Sequence, residues 1–290
     1  MAPPLTVVGC YAHPDDETWS VSGSLALLAA KGVRCAVWTA TRGEAGRIAP
    51  ATGVPPERLG EVREAEERAA LALVGVHEVE FGDFRDGAVS DADQAELVRA
   101  IGSFLRRLRP DVVVTMERGG NTGHPDHMAV TRATEVAFAA YLAEGSGARP
   151  GPGQQAAEQS RASAPRWTDG GRQREPRLYQ EGVPRSKLSQ LRGLATQVGL
   201  EFPDKDQPYA PKSAPDELFS CHVDVSSVAE LRLRALLEHR TQLTTGTYQL
   251  VVSHPEEVRW WLRSESYIRI HPAPRPGERP EGSLIEAFTP

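Results

Sequence analysis

Along the first half of the chain, short apolar runs alternate with longer stretches whose apolar residues recur at helical spacing. Leu5 to Ala12 is apolar almost throughout, the pattern of a strand buried on both faces, and Gly23 to Lys31, rich in Ala and Leu, reads as the helix after it. Val33 to Thr41 is the next strand. A polar loop from Thr41 to Gly46 and a Pro-containing stretch lead to Glu61 to Leu73, charged on one side and apolar on the other, an amphipathic helix ending near Gly75. Val76 to Phe81 is a short third strand. Asp91 reads as the N-cap of a helix through Leu108, in which Leu97, Ile101, Phe104, Leu105 and Leu108 keep the helical period until Pro110 stops it. The Val run of Asp111 to Thr115 suits a central parallel strand, and His127 to Ala143 the helix that follows.

This alternation predicts an α/β fold: a Rossmann-like, mostly parallel sheet flanked by helices, with a less regular C-terminal part. Crossovers of one hand would then bring the loops after the strands to one edge of the sheet. Gly145 to Glu175, packed with Gly, Pro, Ser, Gln, Ala and Arg, interrupts the pattern and reads as a flexible insertion at about 145–175 within a single domain covering 1–290. Beyond it come a strand at Arg177 to Gln180, a helical stretch at Lys187 to Gln197, a strand at His222 to Val225 and a helix from a cap at Ser226 or Ser227 to Arg240. Trp260 and Trp261 fall on a short helix after Pro255, and Tyr267 to Ile270 forms a late strand.

Composition leaves this picture intact and narrows the partners. With 40% apolar and 25% charged residues the chain is that of a soluble globular protein. No apolar run approaches the ~20 residues of a membrane span, and the N-terminus lacks a secretory pattern, so a cytoplasmic location is expected. A net charge of -6 argues against nucleic acid and anionic lipid as partners, leaving a small molecule and, as an open matter, a homo-oligomer. Cys10, Cys35 and Cys221 have no metal-type spacing and read as buried, reduced thiols.

The candidate chemistry sits where two of these strands end. Cys10 to Glu17 reads C-Y-A-H-P-D-D-E, placing one imidazole and three carboxylates in five positions, and Gly123 to His127 reads G-H-P-D-H. Carboxylates this close raise one another's pKa values unless a cation neutralises them. His13 and Asp16 are three apart, as are His124 and His127, and each pair brackets a proline suited to a helix's first turn. Two imidazoles and one carboxylate, with a fourth position for water, make the three-ligand arrangement of a catalytic zinc site, and an unligated carboxylate beside it can take the water's proton. The residues alone leave open which of His124 and His127 is a ligand. The same donors suit a non-haem iron oxygenase, and a non-catalytic sugar-binding module that keeps a metal is a third class.

Read together, Ala12 to Glu17 (A-H-P-D-D-E) and Gly123 to His127 (G-H-P-D-H) resemble the LmbE-like, or PIG-L-type, zinc-dependent de-N-acetylases. Supporting matches are T-R-G-E at Thr41 to Glu44, R-E-A-E at Arg63 to Glu66, R-D-G at Arg85 to Gly87 and H-R-T-Q at His239 to Gln242. The resemblance implies a hydrolase that removes an N-acetyl group from an N-acetylglucosamine-type amino sugar or its conjugate. In it, metal-bound water attacks the amide. A neighbouring activity in the same family is an amidase that removes a larger acyl group from a glucosamine thiol conjugate. Position by position, it implies His13, Asp16 and His127 as ligands of Zn2+, or of Fe2+ or another divalent metal in the cell. Asp15 becomes the general base, His124 in protonated form the oxyanion support or proton donor, and Asp126 the residue that orients its ring. Arg63 and Asp86 fall where family members contact sugar hydroxyls, and Glu44 lies near them as a further candidate for substrate binding. Two departures stand out: Thr122 replaces a tyrosine that some members use to polarise the amide, and Ser22 stands where many have glycine.

Overall fold

A strand with no exposed residue needs a neighbour on each side and a layer on each face. β1 (Thr6–Tyr11) is such a strand, buried along its whole length. In the computed structural model, which describes residues 4–145, 167–169, 172–197, 199, 202, 207–243 and 248–288, it lies inside a seven-stranded sheet. The chain continues through α1 (Asp16–Ser20), α2 (Ser22–Ala29), β2 (Arg34–Thr39), α3 (Leu59–Leu73), β3 (Glu78–Phe81), α4 (Gln94–Leu108) and β4 (Val112–Met116). A single turn, α5 (Gly120–Gly123), leads into the long α6 (Pro125–Gly145). There follow β5 (Trp167–Asp169), β6 (Arg172–Arg174), β7 (Arg177–Glu181), α7 (Arg185–Gln197), β8 (Cys221–Asp224), α8 (Ala229–Glu238), α9 (Tyr248–Ser253), α10 (Pro255–Trp261) and β9 (Ser264–His271).

The sheet order is β3-β2-β1-β4-β7-β9-β8. The first five strands are mutually parallel, β9 is antiparallel to β7, and β8 is antiparallel to β9. The expected mostly parallel α/β architecture is therefore present. Strand order reverses beside β1, where β2 and β3 lead away on one side and β4 on the other, and such a switch point opens a crevice at the carboxyl ends of the strands.

Alternate residues of β1 feed two cores. Val7 and Tyr11 pack with Leu25, Val37 and Leu71, whereas Val8 and Cys10 pack with Trp38, Ile101, Phe104 and Ala133. All three cysteines are buried and free, as expected. A third cluster of Leu233, Leu236, Val251, Val258 and Leu262 joins α8, α9 and α10 and receives Trp19 from α1.

Glu265 of β9 couples the C-terminal strands to the N-terminal layer. Its carboxylate accepts the Gly23 and Ser24 amides at 2.8 and 2.9 Å and lies 3.1 Å from Arg232, with both side chains fully buried. Arg232 also donates to Ser22 Oγ, Leu262 O and Trp19 O. Ser22 thus has a structural reason to replace a glycine, because its hydroxyl takes a guanidinium N–H that would otherwise be buried without a partner. Gly23 cannot be replaced so easily, since a Cβ there would come within 2.8 to 2.9 Å of Val225, Arg232 and Glu265.

Three sequence expectations need adjustment. Asp93, not Asp91, caps α4, accepting the Ala95 amide at 2.8 Å, because Val89–Asp91 are already wound into a 3-10 turn. The helix expected from Ser226 or Ser227 opens with a 3-10 turn over Ser226–Val228 and ends at Glu238, short of Arg240. The insertion expected at 145–175 lies largely outside the described residues, which within it comprise the last residue of α6, the antiparallel pair β5 and β6, and Glu175. Among the described residues no helix is long and apolar enough to cross a membrane.

Candidate metal centre and active site

β1 and β4 are hydrogen-bonded neighbours running in one direction, with Val7 opposite Val112 and Gly9 opposite Val114. The loops that leave them therefore emerge side by side, and the two histidine motifs meet. After β1, Asp16 Oδ2 accepts the His13 amide at 2.9 Å and the Ala12 amide at 3.3 Å, which folds the loop over its own carboxylate. Asp15 is forced to φ 105°, a conformation that costs an L-residue on the order of 1–3 kcal/mol and clusters at functional sites. Buried Arg63 of α3 holds this bend: it donates to Pro14 O at 2.6 Å and Gly43 O at 3.0 Å, and meets the Asp15 carboxylate at 3.3 Å.

After β4 the chain turns through Gly120 and Asn121, both at positive φ. Gly120 must be glycine, because a Cβ would lie 2.8 Å from His127 Cβ, and its carbonyl accepts His127 Nδ1–H at 2.8 Å. That bond leaves His127 Nε2 with a free lone pair. His13 is oriented in the opposite sense: its Nε2 faces Asp86 at 3.1 Å and Asp126 at 3.4 Å, so the proton belongs on Nε2 and the lone pair on Nδ1. His13 Nδ1 and His127 Nε2 are 3.1 Å apart, and the Asp16 carboxylate reaches both through different oxygens, Oδ2 lying 3.6 Å from His13 Nδ1 and Oδ1 3.3 Å from His127 Nε2. Tetrahedral zinc with ligands at ~2.0–2.1 Å separates its donors by roughly 3.3 Å, so these residues suit the ion. His13, His124 and His127, and separately His13, Asp86 and Asp126, also bring ligand-type atoms within 4.8 Å of one another.

His124 differs from its neighbours. Its Nδ1 accepts the Asp126 backbone N–H at 3.2 Å, which places its own proton on Nε2. Burial, with His13 and His127 nearby, pushes its pKa down to about 4, which favours the neutral ring over the protonated form expected from sequence. Asp126 also behaves otherwise than expected. Its carboxylate is fully buried and accepts the Gly87 and Ser90 amides at 2.8 and 3.3 Å while facing His13, so His124 is held by the Asp126 backbone instead.

The two adjacent aspartates titrate apart. Burial, only partly offset by Arg63, lifts Asp15 to about 7. For Asp16 burial acts in the same direction, but His127 and His13 overcome it and hold the carboxyl well below the usual range. Of the candidate substrate contacts, Asp86 accepts the Ala45 amide at 2.9 Å besides facing His13, and Glu44 accepts the Asp86 amide at 2.9 Å. Glu44 and Asp86 are thus joined beside His13, and Arg63 stands against Asp15.

The sequence reading missed two tyrosines and a cavity. The Tyr209 ring lies on His124 with centroids 4.7 Å apart, on a backbone held at φ 61°. Tyr248 is buried beside Trp19, with its hydroxyl toward Asp15. A cavity of about 280 Å³ starts at Asp16 and His127 and runs toward α7 and α10, with Trp261 in its wall. No local pattern announces these residues, because distant segments bring them together. His239 is buried behind the site, its Nε2 3.1 Å from Thr18 Oγ1, and Thr241 of the same H-R-T-Q segment holds Glu66.

Residues 9–138 match the family described as PIG-L: GlcNAc-PI de-N-acetylase. A 1D-myo-inositol 2-acetamido-2-deoxy-alpha-D-glucopyranoside deacetylase of Thermobifida fusca is 29% identical, with 96% of each chain covered. A protein of the same description from Rhodococcus erythropolis is 31% identical over 81% of this chain and 80% of its own. Among solved structures, N,N'-diacetylchitobiose deacetylase from Pyrococcus horikoshii superposes with a TM-score of 0.56 at 17% identity, covering 93% of this chain and 86% of its own. GalB, a 4-carboxy-2-hydroxymuconate hydratase from a Pseudomonas, superposes with a TM-score of 0.54 at 19% identity, covering 93% of this chain and 98% of its own. The fold is thus shared by a deacetylase and a hydratase, and the choice of chemistry rests on the site's residues.

Proposed function

The chain belongs to the PIG-L, or LmbE-like, family, and we propose that it is a metal-dependent hydrolase removing an N-acetyl group from an N-acetylglucosamine-type amino sugar or its conjugate. One observation carries this reading. The His13 and His127 ring nitrogens and the Asp16 carboxylate meet at the switch point of the sheet, and Asp15 beside them is paired with Arg63. A divalent cation such as zinc, held by those three, would polarise the amide carbonyl and bring the pKa of a bound water toward neutrality.

The protein's own groups do the rest. Asp15, lifted to about 7, takes a proton from the attacking water and passes it on toward the departing amine. His124, neutral and protonated at Nε2, donates a hydrogen bond to the oxyanion that forms at the carbonyl. Asp86 and Asp126 fix the ring and tautomer of His13. Arg63 fixes the bend that carries Asp15, and Glu44 and Asp86 are the polar groups nearest to where a sugar hydroxyl would arrive. The relatives' printed substrate, an inositol-linked 2-acetamido sugar, is the first compound to try.

The test is release of free amine from a panel of N-acetylglucosamine conjugates by protein loaded in turn with zinc, iron and cobalt. Amine should appear with at least one metal and vanish on chelation. Silence across all metals and all conjugates would overturn the assignment.

A further inference from the structure

The cavity that starts at Asp16 and His127 differs from the rest of the site. Its wall includes Trp19, Met116, Val183, Leu191, Leu250 and Trp261, so its surface is chiefly apolar. The polar side chains among its lining are mostly engaged elsewhere. Glu181 accepts Asn121 Nδ2 at 2.7 Å, Glu265 holds the start of α2, and Lys187 donates to Ser264 O at 2.6 Å. Among the lining atoms, Asn121 Oδ1 is buried with no partner, and the Tyr248 hydroxyl faces Asp15. One such acceptor can meet an amide N–H but cannot satisfy a sugar, whose hydroxyls each seek donors and acceptors. Arg63 and Asp86, to which the family resemblance assigns the sugar, and Glu44 near them are not in the cavity's lining.

We propose that the cavity receives the acyl arm of the substrate, and that the enzyme prefers an unbranched apolar acyl group of medium length over acetyl. This rests on the amide-hydrolase reading above. A cavity of about 280 Å³ far exceeds the methyl of an acetyl group, which needs roughly the ~30 Å³ share of one water molecule. Left unfilled, it would hold water against tryptophan and leucine side chains, and each further methylene that replaces this water adds binding. An amide whose carbonyl lies between Asp16 and His127, with the sugar toward Asp86, sends its acyl carbon into this space. The reaction is plain hydrolysis: the amide C–N bond breaks, the acyl carbon gains the water's oxygen, and the amine nitrogen gains its proton.

The test compares N-acetyl-, N-butanoyl- and N-octanoyl-glucosamine with octyl N-acetylglucosaminide on zinc-loaded protein, together with calorimetric binding of octanoate. N-octanoyl-glucosamine should exceed N-acetylglucosamine in kcat/KM on the order of tenfold or more, and Ala195→Phe, which fills the cavity from α7, should reverse that ratio and abolish octanoate binding. A fall in kcat/KM from acetyl onward would overturn the proposal while leaving the hydrolase reading standing. So would a gain confined to the octyl glycoside. If none of the amides is cleaved yet octanoate binds the wild type and not Ala195→Phe, the cavity assignment holds and the activity falls. If Ala195→Phe fails to fold, the wild-type series and octanoate binding decide alone.

Discussion

The two walls of the site are built on different principles. The polar wall, made by the loops after β1, β2, β3 and β4, is fixed bond by bond: His13 between Asp86 and Asp126, His127 on Gly120, Asp15 bent over Arg63. The apolar wall, made by α1, α7, α9 and α10 with β7 and β9, is fixed by packing and by the buried Arg232–Glu265 pair behind it. Directional contacts place atoms to within the fraction of an ångström that metal binding and proton transfer require, whereas packing leaves a shape. The polar wall can therefore carry the reaction and the apolar wall the choice of what reacts. If that division holds, damage to each wall should show in a different measurement.

The largest effects belong to the polar wall. Asp15→Asn removes the proton acceptor without touching the donors, so turnover should fall on the order of 10²- to 10⁴-fold while metal content stays that of the wild type. His127→Ala should instead lose the metal itself, read by elemental analysis, and activity with it. If Asp15→Asn released its metal, or kept full turnover, the separation of base from ligands would be wrong.

Next comes the support of the apolar wall. Arg232→Met deletes one partner of a buried ion pair and leaves Glu265 facing the α2 amides without its cation. Breaking such a pair costs about 3–5 kcal/mol, which denaturant unfolding would detect. Zinc binding by the folded fraction should be nearly that of the wild type. A variant that unfolds no more easily would mean that packing of the third core cluster, and not this pair, joins the C-terminal elements to α1.

The same division governs what can be read from the chain before folding. Parallel strands and amphipathic helices announce themselves by local spacing, and the two H-P-D motifs carry most of their geometry within five residues, so the sheet and the meeting of the motifs are legible. Asp126 shows where this stops: its position beside His124 suggests a partner for that ring, yet the chain turns its carboxylate inward to His13 and the Gly87 loop, 39 residues away. Tyr209, Tyr248 and the cavity depend wholly on contacts between distant segments. Asp93 displaces Asp91 as the cap of α4 for a smaller reason, because a 3-10 turn had already used the earlier residues.

The smallest effect concerns the underside of the polar wall and appears as a slope. Glu17 is fully buried; its Oε1 accepts the Thr18 hydroxyl, and its Oε2 has no partner. Burial raises its pKa from 4.5 to about 8, and Asp15 and Asp16 add to the rise. Between those values the folded chain holds a proton that the unfolded chain has lost, so ν_U − ν_N is negative for this group and stability must fall as pH rises. His13, also raised, contributes in the same direction above its ordinary value, whereas buried His239, lowered to about 3, contributes oppositely but only below 6.5. The window in which the Glu17 contribution stands clear of His239 is therefore pH 6.5 to 8. Thermal unfolding of the metal-free protein across that window should give a shallower loss of stability for Glu17→Gln than for the wild type. Parallel slopes would mean that Glu17 is ionised in the fold, with some cation beneath α1 to balance it.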